Sequence, residues 1–222
     1  MILSNNTIKR IVVFGPQGSG KGTQAEIIAE GLRLPWISTG NIYRQHIQRR
    51  TDLGKIVEQF IKEGKLVPDD ITNKLVAERL MELDARSGFV FDGYPRNIVQ
   101  AEFLNEIVSI DVALEITISD AEAVRRISGR WICACGMTYH VEYNPPKKEG
   151  ICDKCGKQLI HREDDTERVI KERLAIYHHD TEPVLNMYLN QGVLIRINGE
   201  QRIKDVADEI VSKLNNSEFT KQ

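Results

Sequence analysis

The 222-residue chain has no long apolar run, no surplus of either charge and few aromatic residues. Each absence closes off a class of function. No stretch approaches the roughly 20 apolar residues that cross a bilayer. The N-terminal "MILSNNTIKR" turns polar too soon to hold a signal-peptide core, so an unprocessed cytoplasmic protein with no membrane partner is expected. Thirty Lys and Arg stand against 32 Asp and Glu, a net charge of -2, so no positive field exists for bulk binding of nucleic acid. Cysteine is scarce too: all four lie between positions 133 and 155. In a cytoplasmic chain thiols stay reduced, so these are not assumed to be disulfides.

What is present is a rhythm. Short apolar runs at Ile11–Phe14, Pro35–Ile37, Phe89–Phe91, Val112–Ile118 and Val193–Ile197 alternate with helical patterns at about 21–31, 41–63, 69–83, 97–107, 120–128, 165–190 and 203–214. In the last of these, Val206, Ala207, Ile210, Val211 and Leu214 form the stripe of one helical face. Continuous apolar runs alternating with helices mean a parallel sheet buried on both faces, an α/β fold. From Gly129 to about Asp165 the rhythm stops. That stretch holds every cysteine and the Pro145-Pro146 pair, and reads as an insertion with a small fold of its own.

The first run leads into "GPQGSGKGTQ". Gly15, Gly20 and Lys21 satisfy G-x-x-x-x-G-K between a strand and a helix, a loop whose backbone N–H groups cradle phosphate oxygens. Gly18, Gly20 and Gly22 keep side chains out of that approach, the helix N-terminus adds its dipole, and Lys21 brings a mobile charge. Gly22 follows the lysine, with Thr23 next, where the general motif has Ser or Thr directly.

Further stretches follow in order: "ISTGNIYR", "GKLVPDD", "GFVFDGYPRNIVQA", "RRISGRWIC", "YNPPKKEGICDKCG", "HREDDTERVIKERL" and "INGEQ". From about residue 10 to 213 the chain resembles the adenylate kinases. The resemblance implies a three-layer P-loop fold on a five-stranded parallel sheet. It implies a core of residues 1–37, 68–128 and 166–222, with a helical AMP-binding segment at 38–67 and a small β-rich lid at 129–165. The implied reaction is Mg²⁺-dependent transfer from ATP to AMP, giving two ADP, by a monomer. Gly18, Ser19, Gly20, Lys21, Gly22, Thr23, Arg126, Arg130, Thr138, Tyr139 and Gln201 match the positions that take ATP. Thr39, Arg44, Lys65, Leu66, Val67, Gly93, Tyr94, Pro95, Arg96, Gln100, Arg162 and Arg173 match those that take AMP. Thr39 favours adenine over the uridylate/cytidylate kinases, which usually carry Ala there, and it suits a helix N-cap equally well. Asp92, a carboxylate ending an apolar strand opposite the phosphate loop, suits water-mediated Mg²⁺ binding. The family usually reads S-T-G-D, and position 41 here is Asn, which adds no charge to a magnesium water shell.

The nucleophile of such a reaction is a phosphate oxygen that is already ionised, since the second phosphate pKa is about 6. No general base is needed. The task is to bring together roughly six negative charges, and guanidinium groups suit it. Lys21, Arg96, Arg130, Arg162 and Arg173 are the expected catalytic residues. Arg126 and Arg130 bracket the start of the insertion and Arg162 and Arg173 its end, so its closure brings four charges together.

An insertion of fewer than 40 residues cannot bury enough apolar surface to order itself. Four thiolates around Zn²⁺ would staple it. Cys152-x-x-Cys155 has ordinary knuckle spacing, whereas Cys133-Ala134-Cys135 is one residue shorter than the family's C-x-x-C. A disulfide, a metal-free lid, or His140 or His161 in place of one cysteine remain open. So do other donors or acceptors (GTP with AMP, or UMP/CMP) and a P-loop protein using a zinc ribbon to bind nucleic acid or a partner. Against the ribbon, no aromatic cluster accompanies Lys147, Lys148, Lys154 and Lys157.

Overall fold

The computed structural model describes residues 8–216. The sequence readings of residues 1–7 and of the tail beyond 216 lie outside the described residues. Five parallel strands, β1 (Arg10–Phe14), β2 (Trp36–Ser38), β3 (Phe89–Asp92), β4 (Val112–Thr117) and, last in the chain, β7 (Leu194–Asn198), form one sheet in the order β2-β3-β1-β4-β7. Ile11 of β1 stands opposite Val90 on one side and Val112 on the other. The chain therefore leaves β1 in both directions, and the crevice beyond its C-terminal end is a topological switch point.

Both faces are covered, as the unbroken apolar runs require. On one face Val12, Phe14, Phe91 and Ala113 pack with Val76 of α4 (Asp69–Leu80), Leu104 of α5 (Ile98–Ile107) and Tyr188 of α8 (Glu182–Asn190). On the other, Ile11, Val13, Leu114 and Ile116 pack with Ala25 and Ile28 of α1 (Lys21–Leu32) and Ile210 of α9 (Ile203–Asn216). Fully burying one such aliphatic side chain contributes about 2 kcal/mol, so two continuous layers make the sheet the rigid part of the molecule.

Two helical expectations need correction. The pattern over 41–63 is two helices, α2 (Thr39–Gln48) and α3 (Asp52–Glu63). Arg50 breaks it with a left-handed backbone, φ 52°, and the Thr51 hydroxyl then caps α3 by accepting from Gly54 N at 3.1 Å. The pattern over 165–190 runs as α7 (Glu167–Ile176), a wide π turn at Tyr177–Thr181, and α8. Pro183 sits in the first turn of α8; it has no N–H to give the preceding turn, which widens to accommodate it.

Residues 129–165 follow α6 (Asp120–Ser128) and carry the antiparallel pair β5 (Arg130–Ile132) and β6 (Thr138–His140). Their small core is Cys133, Tyr139, Cys152 and Leu159 with Trp131 and Met137 against it. No helix among the described residues is long and apolar enough to cross a membrane.

Candidate active site

The strand β1 ends at the glycine loop, and the loop ends as the N-terminus of α1. Gly20 occupies the cap position with φ 88°, and no side chain caps the helix. A β-carbon on Gly20 would meet no protein atom within 4 Å, so its glycine is required by the left-handed backbone and leaves the helix N–H groups facing open space. Gly18 shares that left-handed backbone, φ 87°, and has a second reason: a β-carbon there would stand 2.8 Å from Ala123 O of α6. That position is packing against protein, where the sequence suggested clearance for a ligand. Lys21 Nζ donates to Pro16 O at 3.2 Å. Burial, only partly offset by Asp92 and reinforced by Arg96, Arg130 and Arg173, lowers its pKa to about 8.

The loop floors a cleft of about 850 Å³. Every nucleotide residue expected from the sequence lines it except Tyr94. Along its far wall Thr39 Oγ1 donates to Gly93 O (2.8 Å), Arg96 Nε donates to the same oxygen (2.8 Å), and Arg96 N donates to Gln100 Oε1 (2.9 Å). Thr39 therefore ties α2 to the end of β3, and the N-cap role falls to Ser38, whose hydroxyl accepts from Asn41 N. Arg44 donates to Asn41 Oδ1. Burial and the nearby Arg162 lower the Arg44 pKa to about 9. The side chains of Lys65 and Gln201, both residues lining the cleft, are engaged with Glu63 and with Glu209.

Two aspartates gather the arginines. Arg130 Nε donates to Asp165 Oδ2 at 2.9 Å, and Gln17 of the glycine loop donates to Asp165 Oδ1 at 3.3 Å. Arg162 Nε donates to Asp164 Oδ1 at 3.1 Å, while Arg173 donates to Asp164 Oδ2 and, at 3.2 Å, to Ile61 O. Burial pushes the Asp164 carboxyl up, yet Arg162 and Arg173 together hold it well below the usual range. Arg126 is set apart. It pairs with Glu122 at 2.6 Å, donates to Gly199 O at 2.9 Å and lies 5.0 Å from the Tyr143 ring centre.

In the insertion, four sulfurs converge. Cys133 Sγ is 3.3 Å from Cys155 Sγ, Cys135 Sγ is 3.6 Å from Cys152 Sγ, and all four lie within 4.8 Å of one another. None is in a disulfide. Zinc–sulfur bonds of about 2.3 Å in a tetrahedron put sulfurs about 3.8 Å apart, so the donor set fits that ion. His140 accepts from Glu142 N and Tyr143 N, and His161 stacks on Trp131, so neither completes the group. In the short C-x-C knuckle the backbone N–H groups of Cys135 and Met137 favour the thiolates of Cys133 and Cys135, against the burial that raises both pKa values.

A family model described as adenylate kinase matches residues 13–193. The chain belongs to the adenylate kinase family. An adenylate kinase of Caldicellulosiruptor saccharolyticus is 44% identical over 211 residues, covering 92% of this chain and 98% of the relative. One from Methanothrix thermoacetophila is 46% identical over 205 residues (90% and 95%). One from Streptomyces avermitilis is 40% identical over 219 residues (96% and 100%).

Within this adenylate kinase framework two tyrosines depart from the sequence reading. Tyr94 is 1% exposed. Its ring packs on Phe91 and its hydroxyl donates to Asn73 Oδ1 at 2.9 Å, so it supports the wall from behind. Tyr139 is turned into the insertion's core, its hydroxyl accepting from Asp153 N at 2.8 Å and lying 3.5 Å from Cys152 Sγ. Sequence reasoning gave no role to Asp164, Asp165, Gln17 or Glu122. The signal was there: two adjacent acids between Arg162 and Arg173, in a cleft that needs its guanidinium groups held apart while it is empty.

Proposed function

We propose how this member of the adenylate kinase family carries out its reaction, ATP + AMP = 2 ADP. Residues 38–67 take AMP, residues 129–165 act as a lid over ATP, and the rest is the core. The ATP phosphates rest on the N–H groups of the glycine loop and on Lys21. Arg44 and Arg96 hold the AMP phosphate, and Thr39, Gly93 and Gln100 face its base. Arg130, Arg162 and Arg173 stand between the two phosphate positions, where charge builds as the phosphoryl group passes. Such preorganised cations account for most of the acceleration in phosphoryl transfer. Asp164 and Asp165 hold these arginines at the meeting point and shield them from one another until phosphates arrive.

The observation that carries this reading is that shared clamp: three arginines from two ends of one insertion, gathered on adjacent aspartates in the cleft that holds Lys21. Magnesium, when bound with ATP, neutralises phosphate oxygens, and Asp92 would hold its water shell. In support, Asp92 Oδ1 is buried without a partner, while Oδ2 accepts from Ser38 Oγ at 3.3 Å. Zinc, when bound at Cys133, Cys135, Cys152 and Cys155, supplies structure to the lid. Lid closure excludes water, so that transfer waits for AMP. We place the enzyme in the cytoplasm, working as a monomer, as the family resemblance implies. Nucleic acid is no partner in this reading.

Product analysis after mixing the protein with Mg-ATP and, separately, AMP, CMP, UMP, GMP or no acceptor tests it. ADP in quantity with AMP alone is expected. Equal ADP without acceptor would replace the kinase by an ATPase, and transfer to CMP or UMP would reassign the acceptor.

A further inference from the structure

Trp36 sits two residues before Ser38 on β2, so both side chains project from the same face of the sheet. The partner strand β3 sets Ser38 opposite Asp92, which brings the indole and the carboxylate to one wall of the cleft. Gly22 of α1 lies between them: a β-carbon there would stand 3.3 Å from Asp92 Oδ2 and 3.8 Å from Trp36 Cζ2. The indole nitrogen is two bonds from that Cζ2. Trp36 Nε1 and Asp92 Oδ1 are both buried and both lack a hydrogen-bond partner. One is a donor only and the other an acceptor only. Leaving either unmade is costly, whereas one water between them satisfies both.

We propose that Trp36 is a positioning residue for the magnesium side of the reaction, its indole N–H holding Asp92 Oδ1 through one bridging water. Ser38 fixes one carboxylate oxygen and Trp36 engages one lone pair of the other, so the plane of Asp92 is set while Oδ1 keeps its second lone pair for a magnesium-bound water. The neighbouring Asn41 brings no charge, and its side-chain oxygen is engaged by Arg44. More of the orientation therefore falls on Asp92. This inference rests on the magnesium-dependent reaction proposed above.

The test replaces Trp36 by β-(3-benzothienyl)alanine, which keeps the ring shape and exchanges N–H for sulfur; Trp36→Phe is the second variant. Calorimetry measures binding of the β,γ-imido analogue of ATP in saturating Mg²⁺ and in EDTA. The magnesium-dependent gain in affinity is expected to fall about tenfold in both variants, with binding in EDTA unchanged for the benzothienyl protein. The Mg²⁺ concentration giving half-maximal rate rises by a similar factor, and the rate is recovered at saturating Mg²⁺. An unchanged magnesium-dependent gain in the benzothienyl variant overturns the proposal, as does an equal loss with and without magnesium, which would mean packing alone. A wild-type protein that transfers phosphoryl groups without magnesium would overturn the underlying reading as well.

Discussion

The glycine loop and the cysteine-bearing insertion face each other across one cleft and are built on opposite principles. The loop hangs from β1, a strand whose Ile11, Val12 and Val13 are almost wholly buried between two helical layers. Its order comes from apolar area, and it presents backbone groups that need no rearrangement to meet phosphate. The insertion has only Cys133, Tyr139, Cys152 and Leu159 at its centre, too little to order itself by burial. Four sulfurs substitute for a core. A unit assembled this way can move as a body on its ends, and its ends carry the arginines. The difference suits the division of labour proposed above, in which the sheet fixes one phosphate and the insertion decides when the remaining charge arrives.

That contrast can be broken first at the fixed side. Lys21→Met leaves the sheet intact and is expected to lower kcat by about 10²–10³-fold, the range for removing one preorganised donor from a site of developing charge. Steady-state rates beside an unchanged melting temperature check it. Asp164→Asn attacks the hinge instead. It leaves Arg162 and Arg173 facing each other without their shared carboxylate, at a cost of about 3 kcal/mol in the nucleotide-free protein. A melting temperature lowered by roughly 5–10 °C, and largely restored by saturating ATP and AMP, is the expected result. Chelator treatment should separate the two regions directly. Protease cleavage within residues 129–165 speeds up on the order of tenfold or more while the sheet core survives as a resistant fragment.

The smallest effect concerns pH. Lys21, lowered to about 8, is charged below that pH and neutral above it in the empty cleft. kcat/KM for ATP should therefore fall as pH rises through about 8, while kcat falls only at higher pH, because bound phosphates keep the proton on the amine. Lys21→Arg, with a side chain that stays protonated, should lack that limb of the profile.

Much of this arrangement was legible in the sequence, for particular reasons. The strands were visible because burial on both faces leaves unbroken apolar runs, and the glycine loop because its spacing is dictated by phosphate geometry. The arginines were visible as pairs bracketing a cysteine-rich interruption. Less legible was whatever depends on direction. Tyr94 lies inside a stretch that lines the cleft yet points into the core, and Tyr139 is turned away toward the sulfurs. The break between α2 and α3 turns on a left-handed Arg50, which no periodicity announces, although Thr51-Asp52 is a capping signal in hindsight. Asp164 and Asp165 stood without a role in the sequence until the fold brought three guanidinium groups to them. Trp36 read as one more apolar strand residue until its nitrogen was found buried without a hydrogen-bond partner.

The division between a fixed floor and two moving inserts is tested most directly by hydrogen–deuterium exchange, without ligand and with a dinucleotide in which five phosphates join two adenosines. Protection concentrated in residues 129–165 and 38–67, with β1, β4 and α1 nearly unchanged, is the expected result. Protection spread evenly over the sheet, or none in the cysteine-bearing segment, would contradict the account.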